Sequence, residues 1–337
     1  MTQTEIRSVA PTLGLRAGDL VEVKSAEEIL ATLDERGELE NLPFMPEMLA
    51  FCGRRMTVHK VALKVCDALN WTGMHKMTRA VHLTGSRCDG SAHGGCQTAC
   101  SLFWKEDWLR KVDPSEPVTA AAPSGLDRGS RPSLPLLEIN TTKGTFEDGA
   151  TRYACQATEI LRAAPDPLPL THVGQFVDDV RVGNFGPLFV ARAFLVGAFN
   201  RLQAVSRRKV PERLRFREGL SWGFIQGKVT GRTPTEELNL QPGELVRVKS
   251  REEIMSTLDQ NLLNRGMGFD AEMSRHCGRT AVVQSRVDQC LDERTGRLLT
   301  MKNPCIILEK TVCTGAFTSA CPREYVPFWR EIWLERI

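Results

Sequence analysis

The clearest pattern is a strict alternation of apolar and polar residues in Leu20-Val-Glu-Val-Lys-Ser25, which predicts a half-buried strand. Leu245-Val-Arg-Val-Lys-Ser250 shows the same alternation. Ser25 and Ser250 each precede a glutamate by three residues, Glu28 and Glu253, which is the signature of a capping box. Short helices are therefore predicted over 26–33 and 251–258. Apolar-rich runs predict strands over 55–65 and 79–84, and again over 280–287 and 304–312. Residues 103–112 and 328–337 place Trp and Leu at i, i+4 spacing, which predicts an amphipathic helix at each position. Residues 113–137, rich in Pro, Ser, Ala and Gly, read as a linker. Helical spacing returns over 147–164 and 188–208, whereas 210–239 has no clear period. The longest apolar stretch, Phe185 to Phe199, is interrupted by Arg192 and falls short of the roughly 20 residues a spanning helix needs. No membrane span is expected.

These patterns come in pairs at a fixed distance. Leu15 to Asp34 and Leu240 to Asp259 match at 13 of 20 positions with an offset of 225 residues. The same offset carries Glu47-Met48 onto Glu272-Met273 and Cys52-Gly53-Arg54 onto Cys277-Gly278-Arg279. It also carries Phe103-Trp104 onto Phe328-Trp329, and Trp108 onto Trp333. The sequence thus reads as two copies of one module of about 100 residues, the usual size of a small domain. The expected layout is a tail (1–13), a first cysteine-rich module (14–113), a linker (114–146), a mainly helical insert (147–238) and a second module (239–337). The expected fold class is α+β, with two small β-rich modules, an SH3-like barrel or open sheet, flanking the insert.

Composition adds one unusual number. The chain of 337 residues has 42% hydrophobic and 25% charged residues, which excludes collagen, coiled coil and wholesale disorder. A net charge of +3 is too mild to announce a nucleic-acid partner. The start, Met-Thr-Gln-Thr-Glu-Ile-Arg-Ser, lacks the charged and apolar regions of a secretory signal, so the cytoplasm is the expected compartment. Yet there are 11 cysteines. In a reducing compartment these point to metal ligands or reactive thiols rather than disulfides.

Four cysteines of the first module have counterparts in the second. Cys52 matches Cys277, Cys88 matches Cys313 and Cys96 matches Cys321, while Cys66 matches Cys290 with a one-residue gap. Four thiols per module is the number a tetrahedral zinc site or an iron–sulfur cluster requires. The expected ligands are therefore Cys52, Cys66, Cys88 and Cys96, and Cys277, Cys290, Cys313 and Cys321. No Cys-x-x-Cys knuckle occurs, and zinc and iron–sulfur both stay open. The Gly-rich loop between Cys88 and Cys96 is of the kind that surrounds cluster thiolates. Cysteines also pack as small hydrophobes, the competing reading for every one of them.

The first module carries groups that the second lacks. His59, His82 and His93 become Gln284, Ile307 and Thr318, and Cys100 becomes Tyr325. His93 and Cys100 belong to a compact Cys-x4-His-x2-Cys-x3-Cys run and are the expected reactive or exchangeable positions. His82 alternates within a strand and reads as a sheet histidine. Cys155, on the first helix of the insert with Glu159 at i+4, is a further candidate thiol. The function expected is metal binding with redox or metal-assisted chemistry in the first module and a structural second module. It would act on a small-molecule substrate or a protein partner. The alternative is a tandem SH3-like binding module without catalysis, contacting its partner through the basic run Arg207 to Arg217.

Tyr-Ala-Cys-Gln-Ala-Thr-Glu at 153–159 and Cys-Pro-Arg…Phe-Trp-Arg-Glu-Ile-Trp-Leu-Glu-Arg at 321–336 complete the layout. With them the chain resembles an uncharacterised family of bacterial cysteine-rich tandem-repeat proteins over most of its length. The resemblance implies no particular activity.

Overall fold

In the computed structural model, the structure describes residues 12–67, 73–113, 135–224 and 226–337. The architecture is mixed α and β, with several antiparallel sheets and few helices. The predicted linker falls largely outside the described residues.

The alternating run forms β1 (Leu20–Val23), with Val21 and Val23 fully buried. Ser25 caps α1 (Ala26–Leu30) by accepting from the Glu28 amide, and Glu28 reaches back to the Ser25 amide. The following strands are β2 (Arg55–Val61), β3 (Ala80–Leu83), β4 (Trp104–Lys105) and β5 (Leu109–Lys111). They make one antiparallel sheet in the order β4-β3-β2-β1-β5. A side hairpin, Lys64–Cys66 with Met74–Lys76, branches from it.

The insert begins with the strand pair Thr142–Thr145 and Thr151–Tyr153, then α2 (Gln156–Ala163), α3 (Gly174–Arg181) and the long α4 (Pro187–Lys209). The helix predicted over 147–164 therefore starts only at Gln156. Its first part pairs as a strand, because the Thr151–Tyr153 backbone is claimed by the facing hairpin strand.

The second segment repeats the first arrangement. β6 (Leu245–Val248), α5 (Arg251–Met255) with its Ser250 cap, β7 (Thr280–Leu291), β8 (Leu298–Leu308), β9 (Trp329–Arg330) and β10 (Leu334–Arg336) follow in order. The sheet order is β9-β8-β7-β6-β10, strand for strand that of the first segment.

The helices predicted at the end of each segment are not there. Residues 103–112 and 328–337 form a strand, a single 3₁₀ turn (Glu106–Trp108, Glu331–Trp333) and a second strand. Tertiary demands override the helical spacing. β5 and β10 satisfy one edge of β1 and β6. The indole N–H of Trp104 donates to Ser86 and that of Trp108 to Thr32, partners a helix would not reach. Trp329 and Trp333 bond to Thr311 and Thr257 in the same way. The four tryptophans are core residues.

β7 and β8 are longer than predicted and form a projecting hairpin. Its tip docks on the insert, where the Tyr153 amide donates to the Gly296 carbonyl at 2.8 Å. Its flank docks on the first segment: the amides of Asp288 and Gln289 donate to Gln97 Oε1, and Gln289 Nε2 donates to the Gly94 and Gly95 carbonyls.

α2 is bound to the first segment by a buried amide. Gln156 Nε2 donates to the carbonyls of Pro43 (2.9 Å) and Phe103 (3.0 Å), and its Oε1 accepts from the Phe103 amide at 2.8 Å. Replacing Gln156 by Ala strands three buried backbone groups. Each such group costs about 1–3 kcal/mol. We expect Gln156→Ala to lower unfolding free energy by about 3 kcal/mol in a denaturant titration, with α2 loosened first. A loss under about 0.5 kcal/mol, as for an ordinary surface change, would contradict the clamp.

Candidate metal centre

The Gly-rich loop is shaped by glycines. Gly90 has φ +71°, and a Cβ on it would lie 1.9 Å from the Cys96 carbonyl oxygen. Only glycine permits that approach. The loop closes through His93 N–H and Gly95 N–H, both donating to the Gly90 carbonyl, and through the Cys88 amide donating to the Cys100 carbonyl at 2.8 Å. Cys88, His93, Cys96 and Cys100 are thereby turned toward one cavity of about 30 Å³. Its wall is completed by Glu47, by Cys155 and Gln156 of α2, and by Leu291, Glu293 and Arg323 from the second segment.

Within this wall three unlike groups converge. Cys88 Sγ lies 3.3 Å from Glu47 Oε1 and 3.5 Å from His93 Nε2. Among the described residues, Glu47, Cys88 and His93 are the only three or more His, Cys, Asp or Glu side chains with donor atoms within 4.8 Å of one another. Glu47 Oε2 and His93 Nδ1 are buried without a hydrogen-bond partner. Orphaned buried polar atoms are costly, and two beside one thiol mark a site with an unused binding capacity.

The same cavity collects four thiols. Cys100 and Cys155 are close enough to Cys88 to oppose its ionisation and push its thiol up, and Cys96 acts likewise on Cys100 and Cys155. Two of the sulfurs accept backbone N–H groups: Cys88 from Gly90 and Cys96 from Leu291, each at 3.3 Å.

The electrostatics describe a site that holds its protons. Burial, then the nearby Glu47 carboxylate, pushes the Cys88 thiol far above its ordinary value near 9. Burial also raises Cys100, and takes Cys155 to about 12. Cys155 is the N-cap of α2, where the helix dipole favours a thiolate. Desolvation outweighs that contribution. Burial raises Glu47 and lowers His93, so each of these groups favours its neutral form. Arg323 is the exception: burial disfavours its charge, but Glu293 at 2.7 Å holds it protonated beside Cys100. Thiols and a carboxyl in this state bind a cation only by releasing protons.

Positions 225 residues later follow the same backbone with different chemistry. Gly315 takes the place of Gly90, with φ +78° and a would-be Cβ 2.5 Å from the Cys321 carbonyl oxygen. Its amide donates to Cys313 Sγ, as that of Gly90 does to Cys88. Glu272, however, is fully engaged by Arg275, the Thr314 amide and hydroxyl, and the Phe317 amide. Tyr325 stands where Cys100 does and donates to Asp270, which replaces Met45. In the second loop these groups are satisfied internally, and the Thr318 hydroxyl is left without a hydrogen-bond partner.

The expected four-thiol sets are not gathered as the matching suggested. Cys52 and Cys277 follow equivalent 3₁₀ turns and pack against their own cores. Cys66 leaves the first set and donates to Cys321 of the second segment, with Cys313 nearby. Cys290 lies along β7 beside Cys96. The junction of the two segments redistributes the thiols. Cys88 and Cys96 do belong to the cavity, together with His93, Cys100 and Cys155. Glu159 does not: it is paired with Lys143 and Arg162. His82 is buried and neutral, held down to about 4 by burial, and its Nδ1 bonds the Leu102 carbonyl. His59 is an exposed partner of Glu324. Glu47, Glu293 and Arg323 were not singled out from sequence. The exact repetition of Glu47 as Glu272 alongside Cys88 and Cys313 was the available signal.

No protein-family profile, curated protein or solved structure matches the chain.

The raised thiols set a pH dependence for the metal-free protein. Cys155 (about 12) and Cys305 (about 11) keep their protons in the fold, while unfolded thiols ionise near 9. The folded state therefore binds more protons above pH 9, and stability falls as pH rises. Each thiol contributes a slope of about 1.4 kcal/mol per pH unit until its folded value is passed. Melting temperature in chelator should drop steadily between pH 9 and 11; a flat or rising profile would refute the buried-thiol assignment.

Proposed function

We propose that the chain is a metalloprotein whose centre occupies the cavity of the first segment, ligated by Cys88, Cys96, Cys100 and Cys155 as an iron–sulfur cluster. The observation that carries this is the four thiols lining one small enclosed space. Their spread is wider than a single ion requires and suits a cluster, whose thiolates bind different irons. The N–H groups on Cys88 and Cys96 and the buried Arg323 offset the negative charge of such a tetrathiolate group. His93 and Glu47, adjacent to Cys88, would carry the proton that accompanies a change of redox state. The activity class is redox chemistry at this centre. The second segment, with its satisfied Glu272 and Tyr325, supports the first structurally. The shared strand order supports reading both segments as copies of one small SH3-like module.

One observation favours a second reading. Glu47, Cys88 and His93 form a mixed donor set within single-ion range, which suits a zinc site with an open fourth position.

Anaerobic purification, elemental analysis and a visible spectrum separate the two. The cluster reading expects iron, sulfide and a broad band near 400 nm from thiolate-to-iron charge transfer, about the usual position for such centres. It also expects loss of that band in Cys96→Ser and Cys155→Ser, with Glu47→Gln retaining it. Zinc without colour, lost in Glu47→Gln and His93→Ala but kept in Cys155→Ser, would establish the second reading. A colourless, metal-free, folded chain after anaerobic reconstitution would defeat both. Cys313→Ala in the second loop should leave metal content unchanged and lower only the melting temperature.

A further inference from the structure

The longest helix, α4, turns an apolar stripe outward. Leu188, Leu195 and Leu202 are 87%, 66% and 69% exposed. They recur every seven residues and so drift only about 20° per step around the helix. Val205 continues the stripe one turn on, and Leu214, Phe216 and Trp222 extend it along the returning chain. The opposite side of α4 is occupied: Val190, Ala193, Val196 and Gln203 are buried, and Phe194 meets Phe176 of α3 edge-on. α4 is long and apolar enough to cross a membrane by length and composition alone. With one side packed on protein, it is instead disposed to lie flat on a surface.

The charges on α4 itself are all of one sign, while the returning chain also carries the exposed Glu212 and Glu218. α4 carries Arg192, Arg201, Arg207, Arg208 and Lys209 and no acidic residue. A cavity of about 400 Å³ opens along its edge, lined by Arg192, Arg217, Arg251 and Arg275 with Trp222 and Phe317. Arg275 is committed to Glu272 and Thr314. Among the described residues Arg192, Arg217 and Arg251 carry no salt bridge, and Arg217 lies over the Trp222 ring. Trp222 in turn packs edge-on against Phe199 of α4, so cavity and stripe are continuous.

We propose that this face docks on an anionic phospholipid bilayer, the leucine stripe entering the acyl boundary and a headgroup phosphate seated among Arg192, Arg217 and Arg251. An exposed apolar stripe flanked by arginines is the pattern of an interfacial helix. Two copies packed through α4 would bring its five basic residues against one another with no acidic residue on the helix to offset them, which disfavours a second copy as occupant. Nucleic acid would match the arginines but leave the leucines in water.

The full chain is sedimented with vesicles of phosphatidylcholine alone and with added phosphatidylglycerol. Binding only to the anionic vesicles, weakening as salt rises, is expected. Leu195→Glu with Leu202→Glu should abolish it; both side chains are largely exposed, so the melting temperature should hold. Arg192→Ala, Arg217→Ala and Arg251→Ala should each weaken it about fivefold. Vesicle binding unaffected by the leucine changes would overturn the proposal. So would tight binding of inorganic phosphate without vesicle binding, which would make the cavity a soluble-phosphate site. A dimer in light scattering that Leu195→Glu dissolves, with no vesicle binding, would assign the stripe to a second copy. Retention of RNA in place of vesicles would equally refute it.

Discussion

The centre depends on a contact that no side chain makes. Gly90 passes so close to the Cys96 carbonyl that a single methyl group would not fit. That approach turns the segment from Cys88 to Cys100 into a loop whose thiols face inward. Hydrogen bonds to the Gly90 carbonyl then hold His93 and Cys96 in register. Without this turn the four polar side chains of the loop would have no common space. With it, the remaining walls need only be supplied from outside, by Glu47, α2 and the hairpin of the second segment.

The two segments act as an internal control on what this backbone is for. Both build the turn, around Gly90 and around Gly315, with matching N–H to sulfur bonds. In the second, every polar group near the turn finds a protein partner, except the Thr318 hydroxyl. Glu272 accepts from four donors and Tyr325 closes onto Asp270. In the first, Glu47 Oε2 and His93 Nδ1 are buried without a hydrogen bond, His93 Nδ1 lying 3.7 Å from Glu47 Oε1. Folding alone would favour the satisfied arrangement, because buried unpaired polar atoms are costly. In the first segment two such atoms flank one thiol, whereas near the second turn the Thr318 hydroxyl stands alone. Backbone shape is common to both; ligand capacity is not.

What could be read from sequence followed from local rules. The alternation in Leu20 to Val23 and the Ser25–Glu28 box are decided within a few residues, and both formed as expected. The Trp-bearing ends misled because i, i+4 spacing was decided by distant hydroxyls and a sheet edge instead of a helix. The cysteines misled for a related reason. Matching between segments identified which thiols are equivalent, but not which are neighbours. Cys66 meets Cys321 across the junction, and Cys155 arrives from the insert. Both contacts join residues far apart in the chain, set by how three regions pack. The asymmetry of His93 and Cys100 was legible, since it required only comparison of aligned positions.

That packing also accounts for where the charge of the centre is balanced. Burial holds the protons on Cys88, Cys100 and Cys155, whose thiols are all pushed up. A cation must therefore displace protons against the same desolvation that holds them. Arg323, buried and kept charged by Glu293, is the one fixed positive group in the wall. Both residues come from the second segment. At the position equivalent to Arg323, 225 residues earlier, the first segment has Thr98, which bonds Cys96 instead. The first segment and α2 thus supply the thiols of the cavity, and the second segment supplies its fixed positive charge. Neither wall is complete alone, and the projecting β7–β8 hairpin, gripped along its flank by Gln97 and at its tip by the Tyr153 amide on the Gly296 carbonyl, joins the two halves.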